Sequence, residues 1–380
     1  MISIITFLYY FILFYGCKYS GFNKFHEDFL NIKKMNALKG FSSLSIILGH
    51  LCSHCPDYAK KYLIQTPYGL ISIYPAFFFF CSGYGLIKSF KNKNNYLNHF
   101  IKKKLIQIII PFYLSNFITI LYRFYVFYDK TKLLLENIEK QLILGRLLLY
   151  IPVTIVFWYM IELILLYLLF YITFKYINNK NLSKLIILAI CWFLFLIPTH
   201  FHPKLYYHYA FIRKEYHISI YSFVYGLYIG DYEEKIVQFI KKFYYFFFVI
   251  AILFPFWFNL INNLEIYPQK IKYLNYFFEY TKYNLLSIII YSSILIITMK
   301  IQIKNIVLDI LGKYSYEIYL YQDLVLSFFS YKFIICKFFA WRFIIGISLT
   351  VYFAIIFNYI NQNLIYFLSI KQKQIQNKLD

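Results

Sequence analysis

Two residues of one apolar segment, Lys39 and His50, have side chains suited to acid–base chemistry inside a membrane. In a helix, eleven residues make about three turns and rise about 16 Å, which places both side chains on one face. Imidazole titrates near neutral pH and takes a proton from an attacking hydroxyl, and ionisable groups at membrane depth usually mark a working site. We therefore interpret His50 as the candidate general base.

Two other interpretations of this segment remain open from the residues alone. His50 also suits a hydrogen bond that holds helices together, and His54, one turn later on the same face, allows metal binding by the pair. Cys52 and Cys55 flank His54, but one CxxC without a second ligand cluster is a weak sign of a zinc or redox site. Packing of small side chains at a helix end is the simpler interpretation of these cysteines.

The elements that must position such a site are predicted to be transmembrane helices. The chain has 380 residues, 61% hydrophobic and 24% aromatic, more apolar side chains than one soluble core buries. Apolar runs of about 18 to 25 residues recur along it, the length that crosses a bilayer as a helix. We predict an all-α, polytopic transmembrane helical bundle of 10–11 spans. The predicted spans are residues 2–17, 38–55, 68–87, 106–128, 154–175, 183–199, 216–231, 243–262, 284–301, 313–331 and 343–366.

The net charge of +22 is distributed over short loops between these spans. This pattern indicates topology signals and contacts with membrane lipids and excludes a nucleic-acid partner. Lys and Arg in alternate loops place the amino terminus outside and the carboxyl terminus inside. The segments assigned to the cytoplasmic side are the 18–39 loop, the loop from Lys88 to Lys104, the loops near Lys180, Lys241 and Lys304, and the tail.

The chain is divided into three parts by this pattern. Residues 1–35 form an extra N-terminal span and a cytoplasmic loop, residues 36–366 form the main membrane domain, and residues 367–380 form a polar tail. The six cysteines are scattered and imply no disulfide framework.

Four further polar features lie in or beside the predicted spans. Ser82 follows a Phe-rich run and lies beside Gly83, where another helix or a ligand chain has room to approach. The simplest interpretation of the run Lys102 to Lys104 is a group of basic residues that holds this end of the helix on the cytoplasmic side. Glu162 is flanked by apolar residues on both sides and is expected to meet a partner such as Arg123, Lys39 or His50. Glu317, in the most polar span, suits pairing with cytoplasmic lysines or contact with a ligand.

Taken in order, these blocks resemble the acyltransferase-3 family of bacterial membrane O-acyltransferases. The resemblance covers roughly residues 36–365 and rests on several blocks together. They are Lys39 to His50, the Phe-Cys-Ser-Gly-Tyr block ending at Tyr84, the basic run before Ile110-Pro111-Phe112, Trp158-Tyr159, Tyr221 to Gly230, and the block from Leu311 to Leu320.

The resemblance implies transfer of an acetyl or other short acyl group from acyl-CoA to a hydroxyl of a cell-surface glycan or a lipid-linked saccharide. It makes His50 catalytic and gives Lys39 a role in donor binding. With it, we predict Glu162 as a catalytic residue that orients or charges a basic group. The predicted substrate-binding residues are Lys39, Ser82, Tyr84, Lys103, Lys104 and Glu317. No metal or other cofactor is required, because an acyl thioester is already activated.

Three residues depart from the pattern of that family. Lys39 stands where arginine is usual and lacks its planar fork, Gln107 stands where a base is common, and Gln322 stands where many members have histidine. We expect a multi-pass protein of the bacterial cytoplasmic membrane. A transporter or flippase for a lipid-linked glycan, or a glycan polymerase, is the alternative, but we find no internal repeat and no large outer loop.

Overall fold

The computed structural model describes residues 2–54, 73–126, 158–194, 219–253, 272–303, 305–332 and 339–376. Nearly all regular structure in these residues is α-helical, which confirms the predicted all-α class. Helices dominate because, in hydrocarbon, a chain segment satisfies its backbone polar groups by hydrogen bonds within the segment.

The α-helices are numbered in chain order. The first seven are α1 (Ile2–Phe14), α2 (Ile32–His54), α3 (Pro75–Asn92), α4 (Ile106–Val126), α5 (Trp158–Tyr176), α6 (Lys180–Phe193) and α7 (Tyr221–Asp231). The others are α8 (Glu233–Lys242), α9 (Tyr244–Ile252), α10 (Lys272–Thr298), α11 (Ile306–Lys313), α12 (Ser315–Lys332) and α13 (Phe339–Gln376). A 3-10 turn (Tyr96–His99) and a π-helical turn (Ile101–Leu105) precede α4, and β1 (Lys18–Tyr19) pairs antiparallel with β2 (Ile301–Gln302).

Each of the eleven predicted spans overlaps one of these helices. Within the residues that the structure describes, four helical stretches are long and apolar enough to cross a membrane, namely Ile101–Tyr122, Trp158–Tyr176, Tyr280–Thr298 and Ile344–Leu368. Three features differ from the prediction. Helices α8 and α11 occupy segments that we predicted as loops, and α13 continues ten residues into the predicted tail. Lysine and glutamine are good helix formers, so a polar sequence there does not end the helix.

The chain divides into two compact units. Unit 1 contains Met1–Tyr96 and Leu165–Lys313, and unit 2 contains Leu97–Ile164 and Tyr314–Asp380. In unit 1, α2 packs against α11, α3 packs against α7, and α9 packs against α10. Its core includes Leu38, Phe77 and Tyr291. In unit 2, α12 packs against α13 and α4.

Contacts at one end of unit 1 join segments that the loop alternation assigns to the cytoplasmic side. The carboxylate of Glu27 pairs with Lys241 at 2.6 Å, and the hydroxyl of Tyr232 donates to Asn181 at 2.7 Å. The β1–β2 pair links the 18–39 loop to the segment after α10. The predicted grouping of these loops agrees with their positions in the folded chain.

Candidate active site

Helix α2 carries both residues from which the predicted site was built. Lys39 and His50 lie in the same unbroken helix, so the predicted single helix is confirmed and the separation along its axis is about 16 Å. Residues 42–49 between them are buried, while Lys39 and His50 themselves are half-buried. Both polar side chains therefore lie at the ends of the buried part of the helix.

The position of α2 is set by close contact with α11. A Cβ atom at Gly40 would overlap the backbone carbonyl of Leu308, and one at Gly312 would overlap the carbonyl of Asn36. Only glycine permits the two backbones to approach this closely. On another side of α2, the hydroxyls of Tyr9 and Ser45 lie 2.7 Å apart and are buried. Helix α2 is thus fixed along the stretch that separates Lys39 from His50.

Helix α3 brings Cys81 and Ser82, which belong to the Phe-Cys-Ser-Gly-Tyr block, near Lys39. The charge of the Lys39 ammonium acts on the Cys81 thiol, so these groups share one neighbourhood in unit 1. The adjacent Ser82 is half-buried and hydrogen-bonds the hydroxyl of Tyr167 on α5. The structure therefore places two predicted substrate-binding residues, Lys39 and Ser82, on neighbouring helices of unit 1.

Tyr84 lies midway along α3 and takes part in an ionic cluster. Its hydroxyl donates to the carboxylate of Glu233 at 2.8 Å, and the Lys88 ammonium lies 2.6 Å from the same oxygen. The predicted role of Tyr84 in substrate binding stays a prediction. In the folded chain, the hydroxyl of Tyr84 links the middle of α3 to the start of α8.

A second part of this cluster was missed in the sequence. The ammonium of Lys184 is fully buried, lies 2.6 Å from the carboxylate of Asp231, and stands 4.5 Å from the ring centres of Tyr228 and Tyr232. Lys91 lies 3.1 Å from the same carboxylate. Burial alone would raise the pKa of Asp231, but the hydrogen bonds and charges of the two lysines outweigh it and hold that pKa below its usual value.

The predicted spans contain one indication of the ion pair between Lys184 and Asp231. Lys184 lies just inside the predicted span 183–199, and Asp231 is the last residue of the predicted span 216–231. Span 183–199 thus has a positive charge at its cytoplasmic end, and span 216–231 has a negative charge at its cytoplasmic end. Opposite charges at the same side of the membrane favour an ion pair between the two spans. The sequence alone did not identify which of several lysines faces Asp231.

The other predicted site residues belong to unit 2. Lys103 is exposed and Lys104 is half-buried in the π-helical turn. Glu162 on α5 is buried, with 2% of its surface exposed. Glu317 on α12 is also buried, and the side-chain amide of Asn358 on α13 donates to its carboxylate at 2.8 Å. The roles of these residues stay predictions.

Several predicted features lie outside the described side chains. They are Arg123, one of the three proposed partners of Glu162, and Cys52, His54 and Cys55 of the alternative metal site. Among the side chains that the structure does describe, no three His, Cys, Asp or Glu residues come together as possible metal ligands. The described part of α2 presents an imidazole and an ammonium group about 16 Å apart along the helix axis.

Comparison with known proteins identifies the domain that contains this helix. The family model described as an acyltransferase domain, that of the acyltransferase-3 family, matches residues 32–359, which include Lys39, His50 and most of both units. No curated protein and no solved structure matches the chain. A match over most of the 380 residues shows the family: this membrane protein is an acyltransferase of the acyltransferase-3 family.

Proposed function

We propose that this acyltransferase moves an acetyl or other short acyl group from acyl-CoA to a hydroxyl of a cell-surface glycan or lipid-linked saccharide. The observation that carries the proposal is the placement of Lys39 and His50 on one buried helix of the matched domain. The proposal includes a location in the bacterial cytoplasmic membrane, where a cytoplasmic donor reaches a membrane-bound enzyme, and the apolar helices and the family of the chain support a membrane location.

His50 acts as the general base in this proposal. The imidazole takes the proton of the acceptor hydroxyl as its oxygen attacks the thioester carbonyl. The carbon–sulfur bond then breaks, the acyl group stays on the acceptor oxygen, and the CoA sulfur leaves as a thiolate that takes the proton back. The thioester is already activated, so the enzyme needs a base, orientation and stabilisation of the oxyanion.

Cationic and hydroxyl groups orient the donor. Lys39 attracts the phosphates of acyl-CoA, and the exposed Lys103 with Lys104 attracts them from the side assigned to the cytoplasm. The Ser82 hydroxyl contacts the acyl-CoA donor in this proposal, because it lies on the helix whose Cys81 thiol feels the charge of Lys39. Glu162 orients a basic group, and Glu317 and Tyr84 contact the substrates.

Transfer of label from radioactive acetyl-CoA to a glycan fraction of native membranes tests the proposal. The unaltered protein is expected to transfer label, and His50→Ala and His50→Gln are expected to abolish transfer while both variants still insert into the membrane. His50→Gln separates base catalysis from helix packing, because glutamine retains a hydrogen-bonding side chain but accepts no proton near neutral pH.

The exposed His99 supplies a matched control, and His99→Ala is expected to retain full activity. Glycan acylation by His50→Gln at the unaltered rate would remove His50 from the mechanism. Absence of transfer from several acyl-CoAs to native acceptors by the unaltered protein would reject the proposed reaction.

A further inference from the structure

Helix α1 precedes the residues 32–359 that the family model matches, yet it contacts the helix that carries the candidate base. Of the side chains of α1 that the structure describes, only Tyr9 is buried, with 4% of its surface exposed. The centre of its ring lies 5.4 Å from that of Phe41 on α2, whereas the aromatic side chains of Phe7 and Phe11 are exposed. The buried side of α1 therefore presents a phenol hydroxyl to α2.

The hydroxyl of Tyr9 begins a short chain of hydrogen bonds that runs into the backbone of α2. It lies 2.7 Å from the hydroxyl of Ser45, and that hydroxyl donates to the backbone carbonyl of Phe41 at 2.8 Å. Because a hydroxyl has a single proton, Ser45 accepts from Tyr9 while it donates to Phe41. The hydroxyl of Tyr74, the residue before α3, lies near both. Hydrogen bonds of this kind between apolar helices hold one helix against the other.

Helix α1 is also attached at its carboxyl end, so the hydrogen bond of Tyr9 constrains α2. The side-chain amide of Asn305 donates to the carbonyl of Ile12 at 2.9 Å, and its oxygen accepts from the backbone N–H of Val307 at 2.8 Å. Val307 belongs to α11, the helix whose backbone meets α2 at Gly40. Helix α1 is therefore held to α11 at one point and to α2 at another.

We propose that Tyr9 is a positioning residue that fixes the part of α2 ending at His50, and the effect of Tyr9 on catalysis rests on the proposed function. The contact with α11 holds α2 at Gly40, next to Lys39. Ser45 lies beyond that contact, about 9 Å after Lys39 and about 7.5 Å before His50 along the helix axis. The hydrogen bond of Tyr9 thus lies between the glycine contact and the imidazole. A general base must lie within hydrogen-bond reach of the attacking hydroxyl, so a small displacement of the base lowers the rate strongly.

Removal of one oxygen atom tests this assignment on the full-length protein in detergent micelles. Tyr9→Phe keeps the ring beside Phe41 and is expected to lower kcat about tenfold, because the base is displaced, with KM for acetyl-CoA changed less than about twofold. The melting temperature is expected to fall by no more than about 3 °C. Tyr10→Phe, at an exposed tyrosine of the same helix, is the matched control and is expected to leave all three quantities unchanged.

A double substitution separates the hydrogen bond from a general loss of packing. Ser45→Ala is expected to lower kcat by a factor similar to that of Tyr9→Phe. The combined variant is expected to be no slower than the slower single variant, because both substitutions remove the same hydrogen bond. Losses that multiply in the combined variant would overturn the assignment, as would a lower melting temperature of Tyr9→Phe with an unchanged kcat.

Amide hydrogen exchange in α2 gives a readout that needs no acyl transfer. Tyr9→Phe is expected to speed exchange between Ser45 and His50 more than in residues 36–40, and Tyr10→Phe is expected to leave exchange in both stretches unchanged. Unchanged exchange throughout α2 would overturn the assignment. Faster exchange without acyl transfer by the unaltered protein would reject the proposed function and keep Tyr9 as the residue that fixes α2. Normal transfer by both the unaltered protein and Tyr9→Phe would overturn the assignment and leave the proposed function intact.

Discussion

The buried charges of the two units differ in sign. Among the described side chains, the buried cations Lys184 and Lys300 belong to unit 1, and the buried carboxylates Glu162 and Glu317 belong to unit 2. The two lysines lie near helix ends, where Lys184 meets the carboxylate of Asp231 and Lys300 meets backbone carbonyls. Glu317 lies in a helix and receives a hydrogen bond from the neutral amide of Asn358.

The partners of these buried groups distinguish charges that stabilise the fold from charges that are suited to binding a ligand. A buried ion with several strong partners at short distance fixes the segments that supply them, and its removal leaves those partners buried and unsatisfied. A carboxylate contacted by a neutral amide keeps its negative charge uncompensated by that contact. Burial of a charge in an apolar chain is therefore a poor guide to catalysis unless the partner of the charge is known.

The largest effect is expected for the pair of Lys184 and Asp231. Asp231→Asn leaves the fully buried ammonium of Lys184 without its carboxylate and is expected to lower the free energy of unfolding by about 3 kcal/mol. Thermal unfolding in detergent micelles measures this loss. Glu233→Gln breaks the more exposed pair with Lys88 and is expected to cost less than about 1 kcal/mol.

The stability that the unaltered protein has over Asp231→Asn is expected to depend on pH in one direction. Because the pKa of Asp231 is lower in the folded chain, its contribution to stability is complete above the unfolded pKa of about 3.9 and is lost as the pH falls through the folded pKa. The stability gap between the unaltered protein and Asp231→Asn should therefore shrink on acidification below about pH 4. A gap of equal size at pH 7 and at pH 3 would contradict the role given to the ion pair.

In unit 2, Glu317→Gln is expected to leave stability nearly unchanged but to impair acyl transfer. The glutamine side chain retains an oxygen that accepts from Asn358, and it removes only the charge. Loss of a charge-assisted contact of about 2 kcal/mol with substrate corresponds to a fall of roughly thirtyfold in kcat/KM. Glu234→Gln, at an exposed carboxylate of unit 1, serves as the control. Full activity of Glu317→Gln would assign Glu317 to packing.

The positions of the helices could be predicted, and so could the presence of Lys39 and His50 in the same helix. Both predictions depend only on residues that are close together in the sequence. Long apolar runs predict helices wherever they occur, and the eleven-residue spacing predicts one face from helix geometry alone. The grouping of loops at one end of unit 1 was predictable for a similar reason, since alternation of loops follows from counting spans.

The features missed in the sequence depend on contacts between distant residues. Helix α11 is only eight residues long, and its place depends on Gly312 meeting the backbone at Asn36, 276 residues earlier. Lys184 and Asp231 meet across 47 residues, and several other lysines had the same local pattern. Neither pairing can be derived from periodicity, because both follow from how the helices pack.

Lys39, a half-buried cation of unit 1, provides the last and smallest test of the comparison. If Lys39 binds the donor instead of stabilising the fold, Lys39→Ala should raise KM for acetyl-CoA about tenfold, which corresponds to a loss of about 1.4 kcal/mol in binding free energy. The KM for the acceptor and the thermal unfolding of the protein should change little. Lys39→Arg should restore donor binding, because arginine retains the charge and offers two parallel donors to a phosphate. An equal loss against donor and acceptor, or a fall in stability like that expected for Asp231→Asn, would place Lys39 with the structural lysines Lys184 and Lys300.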